Sequence, residues 1–319
     1  MSVKPASKIS NKLKKTMKEV VRDKWLLLLL APAFVFLIVF NYIPMYGVII
    51  AFKDYNSFAG ITGSQWAEPI YKHFLSFVSD SNFWLLIKNT FLVAFASVIV
   101  DAPLPVILAL MINEVSNKKA QKVVQTVSYA PYFVSVVVVV GICQNLTGLD
   151  HGVVNVILRK LGFEGKVSYI SNPNWFLPVY LISGLWQGLG WWAIIYVGTL
   201  ANVDYSLIEA AKIDGATRFQ RVLHINLPAI MPMATISLIL SIGSLMSVGF
   251  EKIYLMQSDL NREATEVIST YVYKRTFATK GMKPYSFGTA VGLFNSAINL
   301  ALLFIANFIS KKTGGETVL

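Results

Sequence analysis

The sequence predicts an all-α polytopic membrane protein with six transmembrane helices and both termini cytoplasmic. Three observations predict it. Apolar residues make up 55% of the 319-residue chain. Charged residues make up only 14%, against about 25% in soluble domains, too few for the polar skin of a globule. The apolar residues gather into six runs, each sufficient for the roughly 20 helical residues that cross a hydrocarbon core, and basic residues concentrate on one side of those runs.

Residues 1–25 form a basic segment carrying Lys4, Lys8, Lys12, Lys14, Lys15, Lys18, Arg22 and Lys24 against Glu19 and Asp23. The run at 26–52 is longer than the apolar part of a signal peptide and reads as a retained first span. The other spans fall near 83–112, 123–145, 175–200, 229–250 and 287–309, giving a five-span core over 83–309 and a tail at 310–319. With an even number of spans, one side holds 1–25, 113–122, 201–228 and 310–319, with 16 Lys or Arg against 7 acids. The other holds 53–82, 146–174 and 251–286, with 11 against 9. Basic residues at span ends resist translocation, which assigns the first set to the cytoplasm. The net charge of +11 is thus a mark of orientation in a lipid bilayer, and nucleic acid is not called for.

Prolines at 32, 44, 103, 105, 131, 178 and 232 lie within the runs. Each removes a backbone donor and predicts a kink whose freed carbonyl needs a partner inside the protein. Polar groups in the spans are few: Lys88, Asp101, Gln144, Asn145, Gln187, Asn295, Asn299 and Asn307. Asp101 reads either as part of a structural ion pair or cap, or as a group on a pathway. The lone Cys143 and the scattered His73, His151 and His224 provide no disulfide framework and no metal-ligand spacing.

The segment from Asp204 to Pro228 stands apart from the rest. Ser206 with Glu209, and Thr217 with Gln220, have the spacing of capping boxes, and Asp214-Gly215 between them is a turn signal. Pro228 suits the first turn of the fifth span. Two short helices joined by a bend are predicted, a rigid polar foot that another protein can grip.

Glu209-Ala210-Ala211, then Gly215, Ile225, Leu227 and Pro228, resemble the EAA motif, E-A-A-x-x-x-G followed by I-x-L-P, of permease subunits of binding-protein-dependent ABC importers. The resemblance implies that Glu209, Ala210, Ala211, Asp214, Gly215, Ala216 and Phe219 couple the chain to a cytoplasmic ATPase. Trp186-Gln187-Gly188-Leu189-Gly190-Trp191, the outer stretch 267–273 and Gly292-Leu293-Phe294-Asn295-Ser296 are similar to the LplB-like carbohydrate permeases, a branch that includes a subunit of the alginate oligosaccharide importer. The implied function is ATP-driven import of oligosaccharides, acidic ones included, by alternating access across the bacterial cytoplasmic (inner) membrane.

By the same resemblance this chain is not an enzyme and holds no cofactor; ATP and Mg bind to partner ATPase subunits. No GxxxxGK[ST] loop is present, and Gly162-Phe163-Glu164-Gly165-Lys166 has the wrong spacing for one. The implied partners are a second EAA-motif permease in a heterodimer, two cytoplasmic ABC ATPase domains and an extracytoplasmic solute-binding protein, received in part by the outer segment 251–286. Trp186, Gln187, Trp191, Trp192 and Tyr196 combine aromatic faces with an amide suited to sugar rings. Asn295 and Asn299, four apart on one helical face, add hydrogen-bonding groups to this substrate pathway. The competing structural reading makes the aromatics interfacial anchors and Asn299 a bridge between helices. Four outer cations, Lys274, Arg275, Lys280 and Lys283, are expected to attract sugar carboxylates. An ion-coupled secondary transporter is the alternative, compatible with kinked helices and Asp101 but lacking a convincing inverted repeat.

Overall fold

The computed structural model describes residues 22–163, 165, 167–278 and 283–318. The basic side chains from Lys4 to Lys18, together with Glu164, Lys166 and Lys280, lie outside the described residues. The chain divides into two compact units, Met1–Lys72 and His73–Leu319.

In the first unit the apolar run is helical from Lys24 to Phe52. It loosens to a π turn at Ile38–Tyr42 ahead of Pro44 and tightens to 3-10 geometry at Tyr46–Phe52. Such departures accompany a proline, which cannot donate to the carbonyl one turn back. A small antiparallel hairpin then pairs Lys53–Asp54 with Gln65–Trp66, a minor exception to the all-α expectation.

The second unit has helices and connecting segments and no strand among its described residues. Four helices of the described chain are long and apolar enough to cross a membrane: Lys24–Phe52, Phe83–Asn113, Arg218–Gly243 and Tyr285–Lys312. The bent pair Lys118–Phe133 and Val136–Thr147 makes five if counted as one span. Helix Pro173–Leu200, at 28 residues, is long enough to cross, but its Trp, Gly and Gln dilute its apolar character and keep it out of that set.

Two expected spans are corrected. The third, expected as one helix over 123–145, begins at Lys118 and breaks by 96° at Val134–Ser135. Pro131 removes a donor just before the break, and Ser135 starts the new helix by accepting from the Val138 N–H. The fifth, expected over 229–250, ends at Gly243, and a separate helix occupies Phe250–Met256. Residues 244–249, with two serines and a glycine, have weak helix propensity.

Three apolar clusters hold the second unit together. One joins Val139, Val140, Phe176, Ile253 and Val267. Another joins Phe77, Phe83, Leu86, Ile268 and Phe287. The third joins Val106, Ala109, Ala193, Tyr196, Leu200 and Ile230 next to the polar foot.

Candidate functional site

The foot consists of helix Tyr205–Ile213, a bend, and helix Arg218–Arg221, which runs through a π turn at Val222–Asn226 into Leu227–Gly243. The expected Ser206–Glu209 capping box does not form. Asp204 sits one residue ahead of the helix and its carboxylate accepts from the Ser206 N–H at 2.9 Å, leaving Ser206 inside the first turn. That donation is the main reason the Asp204 carboxyl is held below its usual range. The Thr217–Gln220 capping box does form, the Thr217 N–H donating to Gln220 Oε1 at 2.7 Å and the Gln220 N–H to Thr217 Oγ1 at 3.3 Å.

Between the helices, the Ala216 N–H donates to the Ala211 carbonyl at 2.8 Å and the Gly215 N–H to the Lys212 carbonyl at 3.1 Å. These are the two hydrogen bonds of a Schellman motif, which requires a left-handed residue just past the helix end. Gly215 is that residue, with φ +77°. A Cβ there would meet nothing within 4 Å, so the glycine answers to backbone conformation and not to crowding.

Glu209, Ala210, Asp214 and Phe219 are exposed, while Ala211 and Ala216 are half-buried at the bend. Tyr205, Leu207, Ile213 and Phe219 put apolar side chains on the outside of the foot, Ile213 being 86% exposed. Behind the foot, Asn226 is only 2% exposed and donates to Glu114 at the end of the second span, 3.3 Å away. Arg218 reaches Ser116 at 3.3 Å. The foot is thus tied to the end of the second span and the turn that follows it.

The second candidate region is a cavity of about 140 Å³ lined by Ser97, Asp101, Tyr180, Gln187, Trp192 and Lys252, among others. Asp101 and Gln187 therefore meet, although 86 residues of sequence separate them. Lys252, counted from sequence as an outer-loop charge, is only 7% exposed. Its ammonium donates to the Tyr180 carbonyl at 3.0 Å and lies 4.8 Å from the centre of the Tyr180 ring. Gly184 leaves room for it, since a Cβ at that position would come within 3.1 Å of Nζ.

The other expected pathway residues divide. Gln187 donates to the Val134 carbonyl at 2.8 Å, satisfying an acceptor exposed where the third span breaks. Trp191 stacks on Tyr132 next to the same break, ring centroids 4.3 Å apart. Gly190 allows the close approach, because a Cβ there would lie 2.0 Å from the Ser128 carbonyl oxygen. Trp186 is half exposed, and Tyr196 is buried in the cluster beside the foot, away from the cavity. Asn299 accepts from the Met246 N–H at 2.8 Å and donates to Ser247 at 3.0 Å, bridging the unwound segment after Gly243. Asn295 has a buried amide oxygen with no hydrogen-bond partner among the described residues.

Two of the cations expected to attract carboxylates, Lys274 and Arg275, are already engaged. Lys274 bonds to Gln257 and lies 3.2 Å from Glu266. Arg275 pairs with Asp80 at 2.7 Å and lies over the Phe287 ring at 4.1 Å. The charge pattern along the sequence overstates the local positive field, because the acid that compensates Arg275 comes from 195 positions away and the one that compensates Lys274 from 8 positions away, ahead of the acid-free stretch.

The family described as binding-protein-dependent transport system inner membrane component matches residues 101–315, and the chain belongs to it. It is the permease component of an ABC importer, a multi-pass protein of the bacterial inner membrane, non-catalytic in itself. It is 39% identical over 309 residues to the polygalacturonan/rhamnogalacturonan transport system permease protein YteP of Bacillus subtilis (strain 168), covering 96% of this chain and 94% of that one. Protein LplB of the same organism is 41% identical over 295 residues, covering 92% and 91%. A solved bacterial alginate ABC transporter, in complex with an alginate pentasaccharide-bound periplasmic protein, contains a chain of TM-score 0.82 and 34% identity, covering 94% of this chain and 99% of that one.

Proposed function

We propose that this permease imports oligosaccharides, acidic ones included, by alternating access, with six spans and both termini in the cytoplasm. The bent pair and the Trp-rich helix Pro173–Leu200, added to the four long apolar helices, make up the six. The observation that carries the coupling role is the Schellman bend, which holds Glu209 to Ala211 on one short helix and Phe219 on the next in a fixed relation. Nucleotide-driven closure of two partner ATPase domains would press on Glu209, Ala210, Ala211, Asp214, Gly215, Ala216 and Phe219. The capped foot passes that movement through Asn226 and Glu114 to the second span. ATP and Mg are held by those partners.

A second EAA-motif permease completes the pathway as a heterodimer, and a solute-binding protein delivers the sugar to the outer segment 251–286. The relatives' acidic polysaccharides support the substrate class. Trp186, Gln187, Trp191, Trp192, Asn295 and Asn299 form the substrate-facing set in this reading, with Tyr196 behind it. The test is co-expression with a partner permease, ATPase and binding protein, followed by reconstitution. Binding-protein-dependent, oligosaccharide-stimulated ATP hydrolysis is expected; uptake driven by an ion gradient without ATP would sink the reading in favour of a secondary transporter.

A further inference from the structure

Among the described residues Lys252 makes one hydrogen bond, to the Tyr180 carbonyl, yet an ammonium has three N–H donors. At 7% exposure it has little access to bulk water, and unpartnered donors on a buried charge are costly. Its remaining donors belong to the cavity that it shares with Asp101. Asp101 makes no ion pair with it among the described residues, so each charge is close to its opposite without being consumed by it. The volume, about 140 Å³, is below the roughly 300 Å³ at which drug-sized ligand pockets begin. It suits one ring of a longer chain and not a whole oligosaccharide.

The lining presents three chemistries at once. Lys252 offers a charged donor, Asp101 an acceptor for hydroxyl protons, and Trp192 an aromatic face. A neutral sugar ring uses the last two. A uronate ring uses all three, since its carboxylate supplies the acceptor that the ammonium lacks. With the outer Lys274 and Arg275 already in ion pairs, Lys252 is a cation placed inside the bundle and short of partners.

We infer that Lys252, with Asp101 and Trp192, forms a subsite for a single uronate residue and gives this permease its preference for acidic over neutral oligosaccharides. The inference rests on the oligosaccharide-import reading above. It assigns charge selection to the cavity and not to the outer rim.

The experiment measures uptake of matched uronate and carboxyl-reduced oligosaccharides by the complete reconstituted importer. The acidic-to-neutral ratio is compared between variants supplied with the same binding protein, so that protein's own preference cancels. Lys252→Met is expected to lower the ratio about tenfold, neutral uptake holding within about twofold, as for truncation of one partner of a buried charge pair. Lys252→Arg should keep most of the preference. Gly184→Ala, whose methyl would sit against the ammonium, should lower the ratio in the same direction by less, and it decides the matter if Lys252→Met does not assemble. Parallel loss of both substrates in Lys252→Met would show a structural lysine and overturn the inference. An unchanged ratio in both Lys252→Met and Gly184→Ala would do the same. A wild-type importer that moves only the neutral series overturns the inference while leaving oligosaccharide import standing. One that moves neither series, although assembled and ATP-active, removes the parent reading.

Discussion

The foot and the bundle interior use polar residues in opposite ways. In the foot, Asp204, Thr217, Gln220 and Gly215 satisfy backbone groups within three residues of themselves. In the interior, Gln187 satisfies the backbone of a helix 53 positions away, and Asn299 that of a segment 53 positions away. In the proposed coupling role the foot would keep its shape in water while a partner pushes on it, and its bracing is local. The interior must allow helices to break within lipid, so each break borrows a polar side chain from a neighbouring helix. A polar residue in a span is therefore not by itself a sign of the pathway; its partner decides.

The largest effect expected from this contrast is at Gly215. Gly215→Val forces a β-branched residue into φ +77°, at a cost of about 1–2 kcal/mol or more. Transport and substrate-stimulated ATP hydrolysis in liposomes should be largely lost, with weaker co-purification of the ATPase. Gly215→Asn, which tolerates the left-handed region, should retain much of both. Full coupling in Gly215→Val would show that the bend is not held in the working complex.

An intermediate effect, on stability more than on coupling, is expected at the bundle's borrowed partners. Asn299→Leu keeps the branched outline but removes two hydrogen bonds, one of them to a backbone N–H, and should cost about 1–2 kcal/mol, read as a lower melting temperature of the assembled complex in detergent. Gln187→Leu removes one and should cost about 1 kcal/mol. Asn295→Leu gives the opposite sign, because its amide oxygen is buried without a partner and an apolar replacement relieves that cost. A stable Asn295→Leu complex that transports poorly would place Asn295 on the pathway. If all three melt alike, the distinction between borrowed and orphaned polar groups fails.

What could be read from the sequence follows the same division. The apolar runs, the Thr217 box, the Gly215 bend and Pro228 at the start of a helix are carried by contiguous residues, and periodicity and capping rules reach them. Ser206 misled because Asp204, two positions earlier, is an equally good cap and gives the longer helix. Lys252 was missed for a different reason. A lysine directly after Glu251 at the end of an apolar run looks like an interfacial charge, and nothing local signals that the chain unwinds after Gly243 and turns it inward. Long-range pairing likewise hid the engagement of Arg275, whose acid lies 195 residues away.

That outer pair gives the smallest predicted effect and tests how far a nonlocal bond matters when it is near water. Burial alone would raise the Asp80 carboxyl, but donation from the Tyr271 hydroxyl, the Asn82 N–H and Arg275 outweighs it and holds the group below the usual carboxylate range. Tyr271 is held above its ordinary value, by burial first and then by its bond to Asp80, so it remains a donor at neutral pH. A carboxyl whose folded-state pKa is depressed stabilises the fold above its unfolded-state pKa, and that contribution is lost as pH falls through the folded-state value. The pair therefore contributes fully from neutral pH down to about 5 and fades below about 4. Asp80→Asn should melt lower than wild type at pH 7, by an amount equivalent to at most about 1 kcal/mol for a partly exposed ion pair. The gap should stay constant between pH 7 and 5 and narrow only in acid. A gap that widens in acid, or that closes already near pH 6, would mean that Asp80 is not the titrating group that ties residues 271–275 to the start of the second span.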